Sequence, residues 1–348
     1  KTGPLSKADP LSAEKVNMDE LYLEKPGQLK LRKSARIDQL GDSEVLIKTI
    51  YGGICGSDIK VYGGHLPYAN YPCRPGHEIL GSIVEAGPKS PFKSGTRVIS
   101  FPNTYCGICE FCLQEKTNIC PEKKIFGVTV NGLFGQEIVV DSEFLVPVPS
   151  ELTSEKAILT EPFAVIVHAL KKVKIAKATS VAVVGCGTEG FLTIALLEYL
   201  GAEITAIDIN QDKMNKAKSF YTSIATLRPE NAKNQKFDLV IEAAGTKAAI
   251  EMAFTLIKPG GTMITLGLTG DEVSFPSLNV TRSELSILGS IIYTKQDFRE
   301  AFKILESPGF NIAPVLSEII PLDQYKKAFA DASTGNYTKI VLDFRDSR

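Results

Sequence analysis

No block of like charge runs through this chain. Thirty-nine basic residues meet 40 acidic ones, for a formal net charge of −1 over 348 residues. That balance argues against the electrostatic footprint of a nucleic-acid or membrane-surface binder. No apolar run approaches the roughly 18–20 residues that span a bilayer, and no secretory pattern marks the beginning. Internal repeats and low-complexity tracts are also missing. What is left is ordinary globular composition, 44% hydrophobic and 23% charged, on a chain long enough for two domains rather than one core. The expectation is a protein with small-molecule partners in a reducing, cytoplasmic compartment, where its seven cysteines are free to bind metals.

Four of those cysteines crowd one loop. Cys106, Cys109, Cys112 and Cys120 give C-x2-C-x2-C-x7-C, a spacing at which four thiolates can close on one zinc ion at about 2.3 Å each. A full set of four leaves no open coordination position, so the site clamps its loop and the chemistry lies elsewhere. Two disulfides are the alternative, disfavoured by the steric limits on bridging near neighbours.

The chain reads as two halves. Residues 1–17 are polar, carry Pro4 and Pro10, and are expected to form a mobile extension. From Met18 to about Val148, short β-type runs separated by Gly and Pro (Val45–Ile50, Ile79–Glu85, Arg97–Phe101, Glu137–Val140) predict a strand-rich domain holding the cysteine lobe, about 103–121. From about Ala164, strands alternate with helices: Val181–Val184, Ile204–Ile207, Phe237–Glu242, Thr262–Leu266 and Leu285–Leu288. This alternation predicts crossover connections and a parallel sheet, an α/β fold. After Tyr293, helices at Asp297–Leu305 and Asp323–Ala330 and a strand at Lys339–Phe344 are expected to return to the first domain. The predicted division is 18–163 with 294–348, and 164–293.

Gly185, Gly187 and Gly190 spell G-x-G-x-x-G between the strand Val181–Val184 and a helix starting at Thr188. In that context the first glycine permits a tight turn, the second lets backbone approach a pyrophosphate, and the third packs helix against strand. The helix amides then hold the phosphates. Asp208, 18 residues beyond Gly190, is placed to accept from the adenosine ribose hydroxyls and to repel a 2′-phosphate. No arginine follows closely, so NAD is favoured over NADP, with Lys213 the one nearby cation. Cys186 is read as a packing residue.

A second constellation is spread along the chain: Cys55 in Cys55-Gly56-Ser57-Asp58, His77-Glu78 after Gly76, and Glu161 before Pro162. Each has a dull reading alone, as core thiol, satisfied histidine or first-turn charge. Together they supply thiolate, imidazole and carboxylate, a set that suits zinc with one position open.

With these motifs in this order, the chain resembles the zinc-dependent medium-chain dehydrogenases, closest to their polyol (sorbitol-type) branch. The family pattern G-H-E-x2-G-x5-G reads here as Gly76-His77-Glu78, Gly81 and Gly87. The resemblance runs from Met18 to Phe344. It implies a GroES-like, β-rich catalytic domain split around a Rossmann NAD-binding domain, two zinc ions per chain, and assembly as a homodimer or homotetramer.

It also implies that Cys55 and His77 hold the catalytic zinc, with Glu78 and Glu161 as carboxylate candidates, one direct and one through water. Glu161 stands where classical alcohol dehydrogenases carry a cysteine, which favours polyols or hydroxy-amino acids over simple primary alcohols. The implied reaction interconverts a secondary alcohol and its ketone. Zinc lowers the pKa of bound water from about 15.7 to about 7, a bound alcohol gains similarly, and hydride passes to NAD. Ser57 is the family's relay hydroxyl. Lys60 stands where many relatives have a histidine, so the expected onward relay runs through Lys60, cofactor ribose hydroxyls or water.

The arginine that polyol dehydrogenases often carry near Ser290-Ile291-Ile292-Tyr293 is absent. Tyr62, Phe126 and Tyr293 are candidate cleft residues, though such aromatics are more often simply core, and His168 is read as structural. The runner-up activity is L-threonine or 2,3-butanediol dehydrogenation. Cys55, His77, the thiol lobe and Asp208 argue against a zinc-free quinone-reductase-like enzyme, and the intact metal constellation against a non-catalytic nucleotide sensor.

Overall fold

The computed structural model describes residues 17–35 and 39–345; the expected extension, but for Asn17, lies outside the described residues. Three sheets carry the architecture. β1 (Asn17–Leu23) and β2 (Leu29–Ala35) form an antiparallel hairpin. A second, seven-stranded sheet is built on β3 (Glu44–Ile54), β4 (Glu78–Ala86), β5 (Arg97–Ser100), β6 (Glu137–Asp141) and β7 (Leu145–Pro147).

The third sheet is all parallel. It contains β8 (Ser180–Val184), β9 (Glu203–Ile207), β10 (Ala225–Leu227), β11 (Phe237–Glu242), β12 (Ile257–Thr265) and β13 (Ser286–Gly289), in the order β10-β9-β8-β11-β12-β13. That order winds outward from β8 in both directions and leaves a crevice at the carboxyl ends of β8 and β11, where a doubly wound sheet binds its ligand. The chain then returns to the seven-stranded sheet through β14 (Leu316–Pro321) and β15 (Lys339–Asp343), with β15 pairing β3.

Why the parallel strands are buried is visible in their composition. Val181, Ala182 and Val183 in β8 are fully enclosed, covered on both faces by crossover helices as a near-continuous apolar run requires. The helix Thr188–Leu200 is likewise apolar all round, with Phe191 to Leu197 buried. It sits against the helix Thr160–Leu170, which joins the two larger sheets.

Two strands, β3 and β12, run longer than their turn residues suggest. β3 was expected over Val45–Ile50 and continues through Gly52-Gly53 to Ile54. Here glycine marks close approach rather than a turn: a Cβ on Gly52 would meet Phe134 at 2.8 Å, and one on Gly53 would meet the Glu78 carboxylate at 2.2 Å. The helix predicted at Asp297–Leu305 spans Lys295–Glu306, opened by a Thr294/Asp297 capping box,. Asp297 also accepts from His168 Nδ1 at 2.8 Å and Lys171 Nζ at 3.0 Å, tying this helix to Thr160–Leu170.

Candidate active site and metal centres

In the cysteine lobe the four sulfurs draw together. Cys106 Sγ lies 3.7 Å from Cys120 Sγ and 4.0 Å from Cys112 Sγ, and Cys109 Sγ lies 3.9 Å from Cys120 Sγ. The edges of a tetrahedron with ~2.3 Å metal–sulfur bonds are about 3.8 Å, whereas a disulfide needs ~2.05 Å. Backbone N–H groups point at the sulfurs, Cys109 N donating to Cys106 Sγ at 3.3 Å and Cys112 N to Cys109 Sγ at 3.5 Å.

The N–H groups of Ile108 and Cys109 pull the Cys106 thiol down to about 7, while burial and its sulfur neighbours push Cys112 up to about 12. Four thiols this close cannot all ionise without a cation between them. Cys112→Ser is therefore expected to remove one metal equivalent and loosen the lobe. Elemental analysis and thermal melting check this: zinc content falls by one per chain and the melting midpoint drops by several degrees. An unchanged zinc content and melting curve would contradict a clamping role.

The second constellation forms where two central strands of the seven-stranded sheet end, at the close of β3 and the start of β4. β3 delivers Cys55 to the N-cap of the helix Gly56–Gly63. Its neighbour β4 starts at Glu78, paired with Gly53, so that His77-Glu78 arrives beside Cys55. Asp58 fixes both approaches, accepting from Cys55 N at 2.9 Å and from Gly76 N at 3.1 Å. Ser100 Oγ donates to the His77 carbonyl at 3.0 Å.

The donor atoms of Cys55, His77 and Glu78 fall within 4.8 Å of one another. Glu161 lies outside that compact set, so three of the four candidate ligands are brought together. Its Oε1 accepts from the buried Tyr293 hydroxyl at 2.9 Å. Burial, then the Glu78 charge, pushes the Glu161 carboxyl up to about 7.

Around these groups stand residues that the motifs did not mark. Lys339, fully buried, donates to both Glu78 oxygens at 2.8 Å and to the Ile54 carbonyl at 3.3 Å. Burial opposes its charge, but Glu78 outweighs that and holds the ammonium above the ordinary lysine range. His77 Nδ1 faces Asp58 Oδ1 at 3.4 Å, and Ser57 Oγ lies 3.4 Å from His77 Nε2. A carboxylate behind a ligating imidazole is the usual device for fixing the ring's orientation. Burial alone would lower the His77 pKa; Asp58 and Cys55 together raise it well above the ordinary histidine range.

The glycine turn fits a dinucleotide. Gly185 has φ of +100°, and a Cβ there would meet Ala244 N at 2.8 Å. Gly190 packs so closely that a Cβ would lie 1.8 Å from the Gly185 carbonyl oxygen. Gly187, in contrast, faces open space, as backbone approached by a phosphate must. Asp208 sits at the end of β9 and accepts from Cys186 N at 2.6 Å and Asn210 N at 2.7 Å. Arg228, after β10, donates to the Ile209 carbonyl at 2.9 Å, a cation beside the ribose loop that sequence separation concealed.

One cavity of about 320 Å³ lies between the donor set and the start of the helix that follows the glycine turn. Cys55, Ser57, Lys60 and Glu78 line one side, and Thr188, Glu189, Ala243–Gly245 and Leu266–Leu268 the other. Lys60 bridges its mouth, donating to the Leu268 carbonyl at 2.8 Å. The three candidate aromatics do not line this cavity. Tyr62 packs edge-on against Phe329, Phe126 against Phe144, and Tyr293 is enclosed behind Glu161. Tyr68 and Leu66 take that place. The segment 336–339 ties the halves together: Asn210 Nδ2 donates to Asn336 Oδ1 at 3.2 Å, Thr188 Oγ1 to the Thr338 carbonyl, and Lys216 Nζ to Thr338 Oγ1 at 3.0 Å.

A doubly wound parallel sheet and a β domain presenting thiolate, imidazole and carboxylate groups meet at one cavity, the architecture of a dehydrogenase. The family "Alcohol dehydrogenase GroES-like domain" matches residues 41–150, and "Zinc-binding dehydrogenase" matches residues 190–307. The chain belongs to the zinc-binding dehydrogenases, a family of NAD(P)-linked oxidoreductases.

D-arabitol-phosphate dehydrogenase of Enterococcus avium is 28% identical over 322 residues, covering 88% of this chain and 92% of its own. D-xylulose reductase A of Aspergillus oryzae is 28% identical over 329 residues, covering 88% and 91%. A zinc-binding dehydrogenase from Sinorhizobium meliloti, solved with NADP bound, superposes with a TM-score of 0.86 at 26% identity, over 94% of this chain and 99% of that one. Among the described residues no helix is long and apolar enough to cross a membrane.

Proposed function

We propose that this protein interconverts a secondary alcohol of the polyol or sugar-alcohol class and its ketone, with hydride passing to or from NAD, and that it carries two zinc ions per chain. The observation that carries the reading is the shared cavity: Cys55 and Glu78 of the donor set line one wall, and Thr188 and Glu189, which follow Gly187 in the glycine turn, line the other. Bound between those donors, zinc would acidify a hydroxyl or polarise a carbonyl. Cys55 and His77 are assigned as ligands, Glu78 as the carboxylate ligand, and Glu161 as acting through water while Tyr293 orients it. Asp58 orients the His77 ring and Lys339 offsets the second negative charge of the site.

Ser57, lining the cavity beside His77, is assigned the first hand-off of the hydroxyl proton, and Lys60 the cavity mouth. Gly185, Gly187 and Gly190 receive the pyrophosphate and Asp208 the ribose. The polyol class rests on the two curated relatives, whose names place them on arabitol phosphate and xylulose.

A second cofactor reading has an observation of its own. Arg228 beside Ile209 could meet a 2′-phosphate, and the Sinorhizobium relative was solved with NADP. The edge strand β13 and the exposed Phe275 and Leu278 support assembly as a homodimer or homotetramer. Seven unpaired cysteines support a reducing, cytoplasmic setting.

The test is a panel of sugar alcohols, phosphorylated polyols, diols, threonine and ethanol, assayed with NAD and with NADP. The expected result is reduction of NAD by a sugar alcohol or its phosphate at a kcat/KM at least about tenfold above ethanol, a preference worth ~1.4 kcal/mol. Preference for threonine or butane-2,3-diol would move the assignment to those substrates. No turnover with any of them would overturn it.

A further inference from the structure

We propose that Glu189 is a specificity-determining residue for the redox state of the cofactor: its carboxylate, on the cavity wall where the nicotinamide must lie, favours the cationic oxidised ring over the neutral reduced one. The inference rests on the cofactor site proposed above.

Placement comes first. With the pyrophosphate at Gly185–Gly190 and the adenosine ribose at Asp208, the nicotinamide end extends from the turn toward Cys55 and Glu78. The cavity between them is lined by Ala243–Gly245 and Leu266–Leu268 at the ends of β11 and β12. Glu189 occupies the first turn of the helix Thr188–Leu200 and lines that same cavity. Hydride transfer requires the ring to sit here, so the Glu189 side chain is beside it.

The carboxylate also has no structural employment. Among the described residues it has no hydrogen-bond or ion-pair partner, whereas the nearby Glu242 accepts from Ala244 N and Gly245 N at 2.9 and 2.8 Å, and Glu78 is held by Lys339. A half-buried, unpaired carboxyl is normally selected against; one facing a ligand cavity has a partner when the ligand is a cation. The charges that reach it are Lys339 on β15 and Lys60 on the helix Gly56–Gly63, which favour its ionised form, and Glu242 on β11 and Glu78 on β4, which oppose it. Burial is the largest influence and pushes its carboxyl up to about 7. A bound pyridinium cation would bring it back down, and by reciprocity the ionised carboxylate tightens NAD+.

An ionised carboxylate within several ångströms of a unit positive charge, screened as at a protein surface, corresponds to roughly a tenfold preference or more for NAD+ over NADH. The consequence for the reaction is directional. Relative stabilisation of the NAD+ complex shifts the equilibrium on the protein toward alcohol plus NAD+, and eases release of NADH.

The experiment measures equilibrium dissociation constants of NAD+ and NADH for the zinc-loaded protein and for Glu189→Gln, by calorimetry or nucleotide fluorescence, at pH 8 and pH 6. In the wild type, Kd(NADH)/Kd(NAD+) is expected to be higher at pH 8 than at pH 6. At pH 8 the substitution lowers it by about tenfold. At pH 6, where Glu189 is protonated, wild type and variant converge. A ratio that Glu189→Gln leaves unchanged at pH 8, or equal weakening of both nucleotides, overturns the proposal while the dehydrogenase reading stands. Should neither nucleotide bind the wild type, both fall. The wild-type pH dependence alone decides the matter if the variant does not fold: a ratio that does not rise with pH contradicts it.

Discussion

His77→Ala is expected to remain folded and to lose alcohol-dependent reduction of NAD by about 10³-fold or more, the loss that several kcal/mol of Lewis-acid stabilisation implies. The side chain belongs to none of the apolar core clusters: His77 is buried just before β4, its backbone held by Ser100 and its ring between Asp58 and Ser57. Removing it takes away one of three donor groups gathered within 4.8 Å and leaves Cys55 and Glu78 to hold a metal alone.

The outcome should be opposite in kind to that of Cys112→Ser. One variant loses activity with its melting midpoint nearly kept, and the other loses stability. Steady-state kinetics with far-ultraviolet circular dichroism distinguish them. A His77→Ala protein with native kcat/KM would remove the metal from the proposed chemistry.

Lys339→Met should be the most damaging single substitution for stability outside the apolar core, at about 3–5 kcal/mol, the usual cost of stranding one member of a buried ion pair. Both side chains are enclosed, 1% exposed each, and the ammonium meets both Glu78 oxygens at 2.8 Å. Without it, Glu78 stays buried beside Cys55 and Glu161 with no compensating cation from the protein. Replacing Glu78 by Gln in the same chain removes the orphaned charge, so the double variant is expected to recover part of the loss, a coupling that a double-mutant cycle reads directly. Denaturant unfolding of zinc-loaded protein is the measurement. A cost under about 1 kcal/mol would mean the pair behaves as a surface salt bridge and does not set the charge of the site.

How much could be read from the sequence follows from how local each signal is. The four lobe cysteines lie within 15 residues, and their spacing alone predicts a set of sulfurs that the fold draws to 3.7–4.0 Å. The glycine turn is equally local, because Gly185, Gly187 and Gly190 each do something a side chain would prevent or obstruct. Cys55, His77 and Glu78 come from two adjacent strands and were legible by chemical type.

Lys339 was not. It stands 261 residues from Glu78, and nothing in Thr338-Lys339-Ile340 distinguishes a buried partner of a carboxylate from an exposed lysine starting a strand. Tyr293 stays open between cleft and core in the sequence, which cannot show that its hydroxyl is spent on Glu161. Arg228 reaches the ribose loop only because β10 lies beside β9. In β3 and β12 the glycines read as turns, yet Gly52 and Gly53 serve packing and β12 runs through Gly260-Gly261. A glycine's reason for being there is tertiary, and the local pattern is silent on it.

The measurement that bears most directly on this account is anomalous diffraction at the zinc edge from crystals grown with NAD. Two peaks per chain are predicted: one at the centre of Cys106, Cys109, Cys112 and Cys120, the other bonded to Cys55 and His77 and facing the nicotinamide across the cavity. A single peak confined to the cysteine lobe, with the ring lying against an empty Cys55–His77 pair, would contradict it.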